Sequence, residues 1–218
     1  MREPLRLLGH RLQLRTPAAR RRVVVTIPGV GSSGLAMAPL RRYLTSIGHD
    51  AHDWGQGRND SREFTALHQR LIARVEELAG HHGDTIDLIG WSLGGMFARA
   101  TARSIPDSIG QIITYGTPVI GGPRYTIMAA SFSAQDTARI EQRIEERRRS
   151  DPLTVPVTAI YSRNDGVVAW EACIDPDDDG VEHIEVASSH IGMNLDPDVW
   201  RAIQERLNRA HPQTTNRP

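Results

Sequence analysis

The sequence predicts an α/β fold: a mostly parallel, six-stranded sheet with helices on both faces. Six short runs rich in apolar and β-branched residues recur along the chain, segments with helical spacing lie between them, and the connections are short. Strands alternating with helices across short connections are the mark of βαβ units, whose crossover helices cover both faces of a parallel sheet. The 218 residues, 1–218, suffice for one domain with a buried core. No repeat and no linker divides them.

The elements follow in order. "RVVVTIP" (22–28) reads as a buried strand, with Val and Ile adjacent as a doubly covered sheet requires. "LAMAPLRRYLTSIG" (35–48) reads as a helix ending at Gly48, and "HDAHDW" (49–54) as a short strand. From Arg62 to Ala79, Phe64, Leu67, Leu71, Ile72, Val75 and Leu78 fall at helical spacing, with Gly80 as the expected stop. His81 and His82, beside that helix end, read as solvated. "TIDLIGW" (85–91) is a strand, "LGGMFARATARS" (93–104) a helix, and "GQIITYGTP" (110–118), "VPVTAIYS" (155–162) and "VEHIEVAS" (181–188) are strands. In the last helix Asp196 is the expected N-cap, Pro197 sits in the first turn, and Val199, Trp200, Ile203 and Leu207 face inward. The tail 211–218 is expected to fray.

Composition excludes several chemistries. Lys plus Arg and Asp plus Glu balance at 26 each, so no net field recruits nucleic acid. All 26 cations are arginines. Without lysine, Schiff-base mechanisms and a Walker-type phosphate loop are out. Cys173 is the lone cysteine, which excludes an internal disulfide and a cysteine-based zinc site. The first fifteen residues, broken by Arg6 and Arg11, lack the apolar core of a signal peptide, and no apolar run reaches the length of a membrane span. A cytoplasmic location without membrane insertion is expected; secretion would need a signal outside this sequence. The oligomeric state is left open.

Chemistry enters at Gly90-Trp91-Ser92-Leu93-Gly94, a G-x-S-x-G run between a strand and a helix. In that setting the glycines allow a tight turn, the serine hydroxyl stands exposed at the sheet's carboxyl end, and the helix N-terminus favours negative charge there. The plainer alternative is that the glycines only permit close packing and Ser92 caps the helix. An earlier loop, Gly29-Val30-Gly31-Ser32-Ser33-Gly34, fits the dinucleotide fingerprint G-x-G-x-x-G, with Asp50 or Asp53 about 20 residues on. A dinucleotide helix would start inside that motif and bury Pro39 in its interior, where proline removes a hydrogen bond and clashes. A helix starting near Gly34 or Leu35 instead puts Pro39 near its first turn.

"IPGVGSSG", "LIGWSLGG", "ITYGTPVIGG", "YSRNDGVV" and "SSHIGMN", in that order, make the chain resemble the α/β-hydrolase family, and among its members the small, six-stranded bacterial lipases and esterases. The resemblance runs from about Val23 to Leu207 and implies a nucleophilic serine followed in the chain by an acid and then a histidine. Ser92 is the implied nucleophile. Of the histidines well downstream, His183 sits mid-strand and His211 in the tail. His190 falls in the loop after the last strand, at the carboxyl edge where open α/β sheets place their sites, and is the implied base. Asp165, in an Asn-Asp-Gly turn after the preceding strand, is the implied acid; it is also a turn former. Its rivals are Asp175, Asp177, Asp178, Asp179 and Glu182, a run better read as a solvated turn than as a calcium loop. The resemblance also assigns the oxyanion hole to the backbone N–H groups of Val30 and Leu93. This chain has Pro28 where many relatives have His, so Gly31, Ser32 and Ser33 stay open as alternatives to Val30.

Residues 121–150 occupy the place where the family inserts a lid. The apolar "YTIMAASF" (125–132), with Met128, is expected to cover the pocket, and "AQDTARIEQRIEERRRS" (134–150) is a charged helix with Ile140 and Ile144 as its narrow apolar stripe. Its Arg147-Arg148-Arg149 run reads as solvated. So short a cap suggests an open cleft. Trp91, Trp54 at the head of "WGQGRN" (54–59), and Thr117 are further candidates for the pocket wall, with a structural tryptophan and a turn equally good readings of the last two.

These readings converge on hydrolysis of a small-molecule carboxylic ester with no metal or organic cofactor. An acyltransferase, thioesterase or perhydrolase would use the same three residues. A binding protein of the same fold and a nucleotide-dependent oxidoreductase are the rivals from other classes.

Overall fold

A computed structural model describes residues 17–175 and 180–209 of the chain. The expected frayed tail with His211, the amino-terminal stretch read for a signal, and Asp177–Asp179 lie outside the described residues. Six strands form one sheet: β1 (Val23–Ile27), β2 (Asp50–Asp53), β3 (Ile86–Trp91), β4 (Ile109–Tyr115), β5 (Val157–Tyr161) and β6 (Val181–Glu185). Their order is β2-β1-β3-β4-β5-β6, and every neighbouring pair is parallel. The chain steps from β1 outward to β2, then returns across β1 to β3. That reversal puts the topological switch point at the carboxyl ends of β1 and β3, where ligands of open α/β sheets bind.

Successive strand residues point to opposite faces, so each adjacent apolar pair supplies both cores. Val24, Ile89, Ile113 and Ile160 face α1 (Ala38–Ser46) and α5 (Pro197–Leu207), meeting Leu40, Leu44, Trp200 and Ile203. Val25, Leu88, Ile112 and Ala159 face the other way, toward Leu67, Leu71 and Val75 of α2 (Phe64–His82) and Phe97 of α3 (Leu93–Ser104). Tyr43 of α1 stacks on Trp200 of α5 at 5.0 Å, joining the two helices of one layer.

Local signals set most boundaries. Ser33 caps a single 3₁₀ turn, Gly34–Met37, that leads into α1 and leaves Pro39 in the first turn. Asp196 caps α5, accepting from the N–H of Asp198 at 2.8 Å. The helix expected to stop at Gly80 instead continues to His82 and ends at Gly83, whose φ of 61° is left-handed. One interior glycine costs a helix only about 1 kcal/mol, and Gly83 supplies the better stop. His81 and His82 therefore sit in the last turn. His82 is not solvated as expected: it lies half-buried with its ring 5.9 Å from that of His52 on β2. The fourth strand ends at Tyr115, not at residue 118, because Gly116 turns the chain at φ 57°.

The segment 121–150, expected as a cap, is joined by backbone to the loop after β5: Ile127 N–H donates to Val167 C=O at 2.9 Å and Ala169 N–H to Tyr125 C=O at 2.8 Å. Its helix α4 (Ala134–Ser150) is capped by Ser133 and seats Ile140 and Ile144 over Gly122. Arg148 does not stand in solvent with its neighbours. It pairs with buried Asp175 at 2.6 Å, and Arg99 of α3 holds the same carboxylate at 2.7 Å. Asp175 is thus an anchor between cap and sheet, not part of a solvated turn.

Candidate active site

Ser92 directly follows β3 at the switch point beside β1. Its backbone, at φ 54° and ψ −123°, is the lone positive-φ non-glycine conformation among the described residues. Such a geometry costs on the order of 1–3 kcal/mol and persists only where the surroundings impose it. Here they do. A Cβ on Gly90 would come within 2.4 Å of Gly95 N, and one on Gly94 within 2.2 Å of the Ile27 carbonyl oxygen. The two glycines let α3 lie directly on β3 and β1. Ser92 occupies the N-cap position of α3, yet its side chain caps nothing. The turn is held by main chain: Ser92 N–H donates to Tyr115 C=O at 2.9 Å, and the Thr117 hydroxyl donates to Ser92 C=O at 2.9 Å. The Ser92 hydroxyl makes no hydrogen bond among the described residues.

His190 and Asp165 meet beside Trp91, the residue before Ser92. His190 Nδ1 lies 2.7 Å from Asp165 Oδ2, with both side chains buried. The other carboxylate oxygen accepts the N–H groups of Val167 at 2.9 Å and Val168 at 2.6 Å. Asp165 is therefore both the turn former and the partner of His190. A carboxylate accepts only, so Nδ1 is the donor in this pair. Trp91 sets the imidazole from beneath, its indole N–H donating to His190 C=O at 3.2 Å and its ring 5.4 Å from the imidazole. Gly116 closes the other side: a Cβ there would lie 3.0 Å from the imidazole and 3.2 Å from Asp165 Oδ2.

The loop after β1 completes the site. A Cβ on Gly29 would come within 3.2 Å of Ser92 Cβ, so the loop passes directly over the serine. Gly31 N–H donates to Asn59 C=O at 2.7 Å, and Ser32 N–H to Gly29 C=O at 3.2 Å. Both are committed elsewhere. The N–H of Val30 has no partner among the described residues, and Leu93, first in α3, keeps its N–H outside the helix's own bonding. Asn59 fixes this arrangement. It is fully buried, its amide donates to Pro28 C=O at 2.7 Å, and its N–H donates to Ser32 C=O at 2.8 Å. Of "WGQGRN" the sequence marks only Trp54; nothing local marks Asn59. The Asp53 of the dinucleotide fingerprint is also occupied: it accepts from Gly55 N–H at 2.7 Å, pairs with Arg41 at 3.1 Å, and lies against Gly34.

The expected pocket residues divide. Trp91 and Thr117 are buried and act on the backbone of His190 and Ser92, as described. Trp54 is corrected: it is fully enclosed in the core, edge-on to Phe97 at 5.8 Å, with its indole N–H donating to Gly57 C=O. An enclosed ring cannot form a pocket wall. Met128 is exposed in the cap. It belongs to a set of exposed large apolar side chains, Val30, Leu35, Tyr125, Ile127, Met128 and Ile191. All six follow the carboxyl ends of β1, β4 or β6 and so rim the edge that carries Ser92. Burial, with the nearby charges of Asp165 and Glu171, pushes the Cys173 thiol up to about 12.

The wider comparisons agree with this architecture. Residues 8–214 match the model of the alpha/beta hydrolase family. No curated protein matches the chain in sequence. Among solved structures, the mature lipase of Bacillus licheniformis superposes with a TM-score of 0.67 at 16% identity, covering 88% of this chain and 94% of that one. The monoacylglycerol lipase of Paleococcus ferrophilus gives 0.59 at 17% identity, over 88% and 95% of the two chains. A thioesterase domain from the curacin biosynthetic pathway gives 0.54 at 15% identity, over 88% and 93%. None of the described helices is long and apolar enough to cross a membrane. With a family match spanning nearly its whole length and an all-parallel sheet turning through a G-x-S-x-G elbow, the chain belongs to the alpha/beta hydrolase family.

Proposed function

We propose that the protein is a serine hydrolase that cleaves carboxylic esters through an acyl-enzyme. The observation that carries this reading is Ser92, a non-glycine residue held at φ 54° at the head of a helix, directly after Trp91, whose indole meets a buried histidine–carboxylate pair. Ser92 Oγ attacks the acyl carbon while His190 Nε2 takes its proton. The carbonyl oxygen becomes an alkoxide, received by the N–H groups of Val30 and Leu93. The bond to the alcohol then breaks, and His190 returns the proton to the departing oxygen. Water repeats the sequence and releases the acid. Asp165 keeps His190 in the required tautomer and stabilises the imidazolium. The apolar rim favours an apolar acyl group over a charged one.

Labelling with a fluorophosphonate probe, wild type against Ser92→Ala, tests the nucleophile. An ester chain-length panel with a thioester arm tests the substrate class. Labelling confined to the wild type and ester turnover reduced by several orders of magnitude in the variant are expected. Absence of both in the wild type overturns the reading. Turnover of thioesters alone would assign the same machinery to a thioesterase.

A further inference from the structure

At the amino edge of the sheet, on the side away from Ser92, three metal-ligating side chains converge. Asp50 opens β2, His52 lies two residues on and so on the same face of the strand, and His82 closes α2. His52 Nε2 is 3.0 Å from Asp50 Oδ1, and His82 Nε2 is 3.7 Å from Asp50 Oδ2. One ligand atom from each residue lies within 4.8 Å of the others. Around a tetrahedral ion with bonds of about 2.0–2.1 Å, neighbouring ligand atoms sit about 3.3 Å apart. The 3.0 and 3.7 Å separations to the Asp50 carboxylate bracket that spacing. The His52 Nε2 is buried without an aligned hydrogen-bond partner among the described residues, although it faces this carboxylate.

We propose that Asp50, His52 and His82 bind one zinc(II) ion that ties edge strand β2 to the end of α2. Two imidazoles and a carboxylate suit zinc, whereas calcium and magnesium prefer all-oxygen shells. Asp50, His52 and His82 all line one cavity of about 550 Å³, whose wall also includes Arg74, Glu77 and His81. Arg21 holds Asp50 Oδ2 at 2.8 Å from a largely exposed position. It can keep that oxygen while Oδ1 takes the metal, acting as the outer partner that orients the carboxylate. Asp50 pairs with Val23 at the amino end of the strands, so the ion acts on stability and not on the chemistry at Ser92.

The tag-free full chain, stripped with a chelator, is titrated with zinc(II) by calorimetry and melted across zinc concentrations, with magnesium and calcium as controls. One equivalent is expected to bind, with a melting temperature that rises with zinc and is indifferent to the control ions. His52→Gln and His82→Gln should each weaken binding at least about tenfold, while ester turnover without zinc stays at the wild-type rate. Cobalt(II) absorption provides a second measurement that does not depend on stability: a tetrahedral spectrum is expected in the wild type and lost in both variants. Failure of the wild type to bind zinc, or unchanged binding and spectra in the variants, overturns the proposal.

Discussion

His190 and Asp165 are joined twice, by Nδ1 to Oδ2 at 2.7 Å and by the His190 N–H to the Asp165 carbonyl at 3.0 Å. The second link fixes the backbone of the β6–α5 loop, so the first can be changed without moving it. Asp165→Asn keeps an oxygen for the N–H groups of Val167 and Val168, but turns an NH₂ toward Nδ1. The imidazole must then accept at Nδ1 and carry its proton on Nε2, the wrong tautomer for a base. We expect kcat to fall by roughly 10³–10⁴-fold with little change in Tm. A loss of less than tenfold in steady-state ester assays would remove Asp165 from its assigned role.

Gly116 is required at its position by both backbone and contact. Its φ of 57° is left-handed, and an added methyl would press on the imidazole and on Asp165. Gly116→Ala should cost about 1–2 kcal/mol through the backbone alone. The displaced imidazole should also cut fluorophosphonate labelling of Ser92. Denaturant melts and labelling rates check the two effects separately. Labelling at the wild-type rate would show that the imidazole tolerates the intrusion.

How far the sequence reveals this site depends on the range of the contacts. The Ser92 elbow is legible because its glycines, strand and helix are contiguous, and Asp196 and Pro197 mark the start of α5 for the same reason. Asp165 and His190 are picked out only by the chain order that the family resemblance implies. Asn59 is not legible: its amide meets a carbonyl 31 residues earlier, and nothing local distinguishes it from a loop asparagine. Trp54 misleads because a tryptophan suits a core as well as a pocket, and Phe97 decides the matter only after folding. Asp175 sits in an acidic run, and its two arginine partners come from α3 and α4, far apart in the chain. Gly80 reads as a stop because local patterns do not reveal that Gly83 is the better one.

Asn59 supports the loop over Ser92 through three hydrogen bonds, only one of which uses its side chain. Asn59→Ala removes the donor to Pro28 C=O and leaves that carbonyl unpaired, at a cost of about 1–3 kcal/mol. The expected signature is a lower kcat with KM nearly unchanged, because the loop is proposed to bind the oxyanion and not the ground-state ester. A rise in KM with kcat unchanged would place Asn59 in substrate binding.

Asp175 receives Arg99 and Arg148 on opposite oxygens in a buried setting. Removing one partner of a buried ion network strands the other charges and typically costs about 3–5 kcal/mol. Asp175→Ala should therefore lower the urea midpoint by a large margin. Arg149→Ala, one residue from Arg148 but exposed, should have little effect. Comparable losses in the two variants would contradict the anchoring role of Asp175.

His68 makes part of the stability depend on pH. Burial, followed by the charge of Arg147, lowers its folded-state pKa; a hydrogen bond with Ala100 offsets them in part. In the unfolded chain the imidazole takes up a proton as pH falls through about 6.5. The folded protein takes up that proton only at lower pH. Between those values the unfolded state binds more protons, so acidification favours unfolding; the contribution is fully present above about 6.5. His68→Gln removes this dependence. Urea midpoints of wild type and variant, measured from pH 7.5 down to 5, should show the wild type losing stability more steeply below about 6.5. A gap between the two proteins that stays constant over this range would mean that His68 titrates alike in both states.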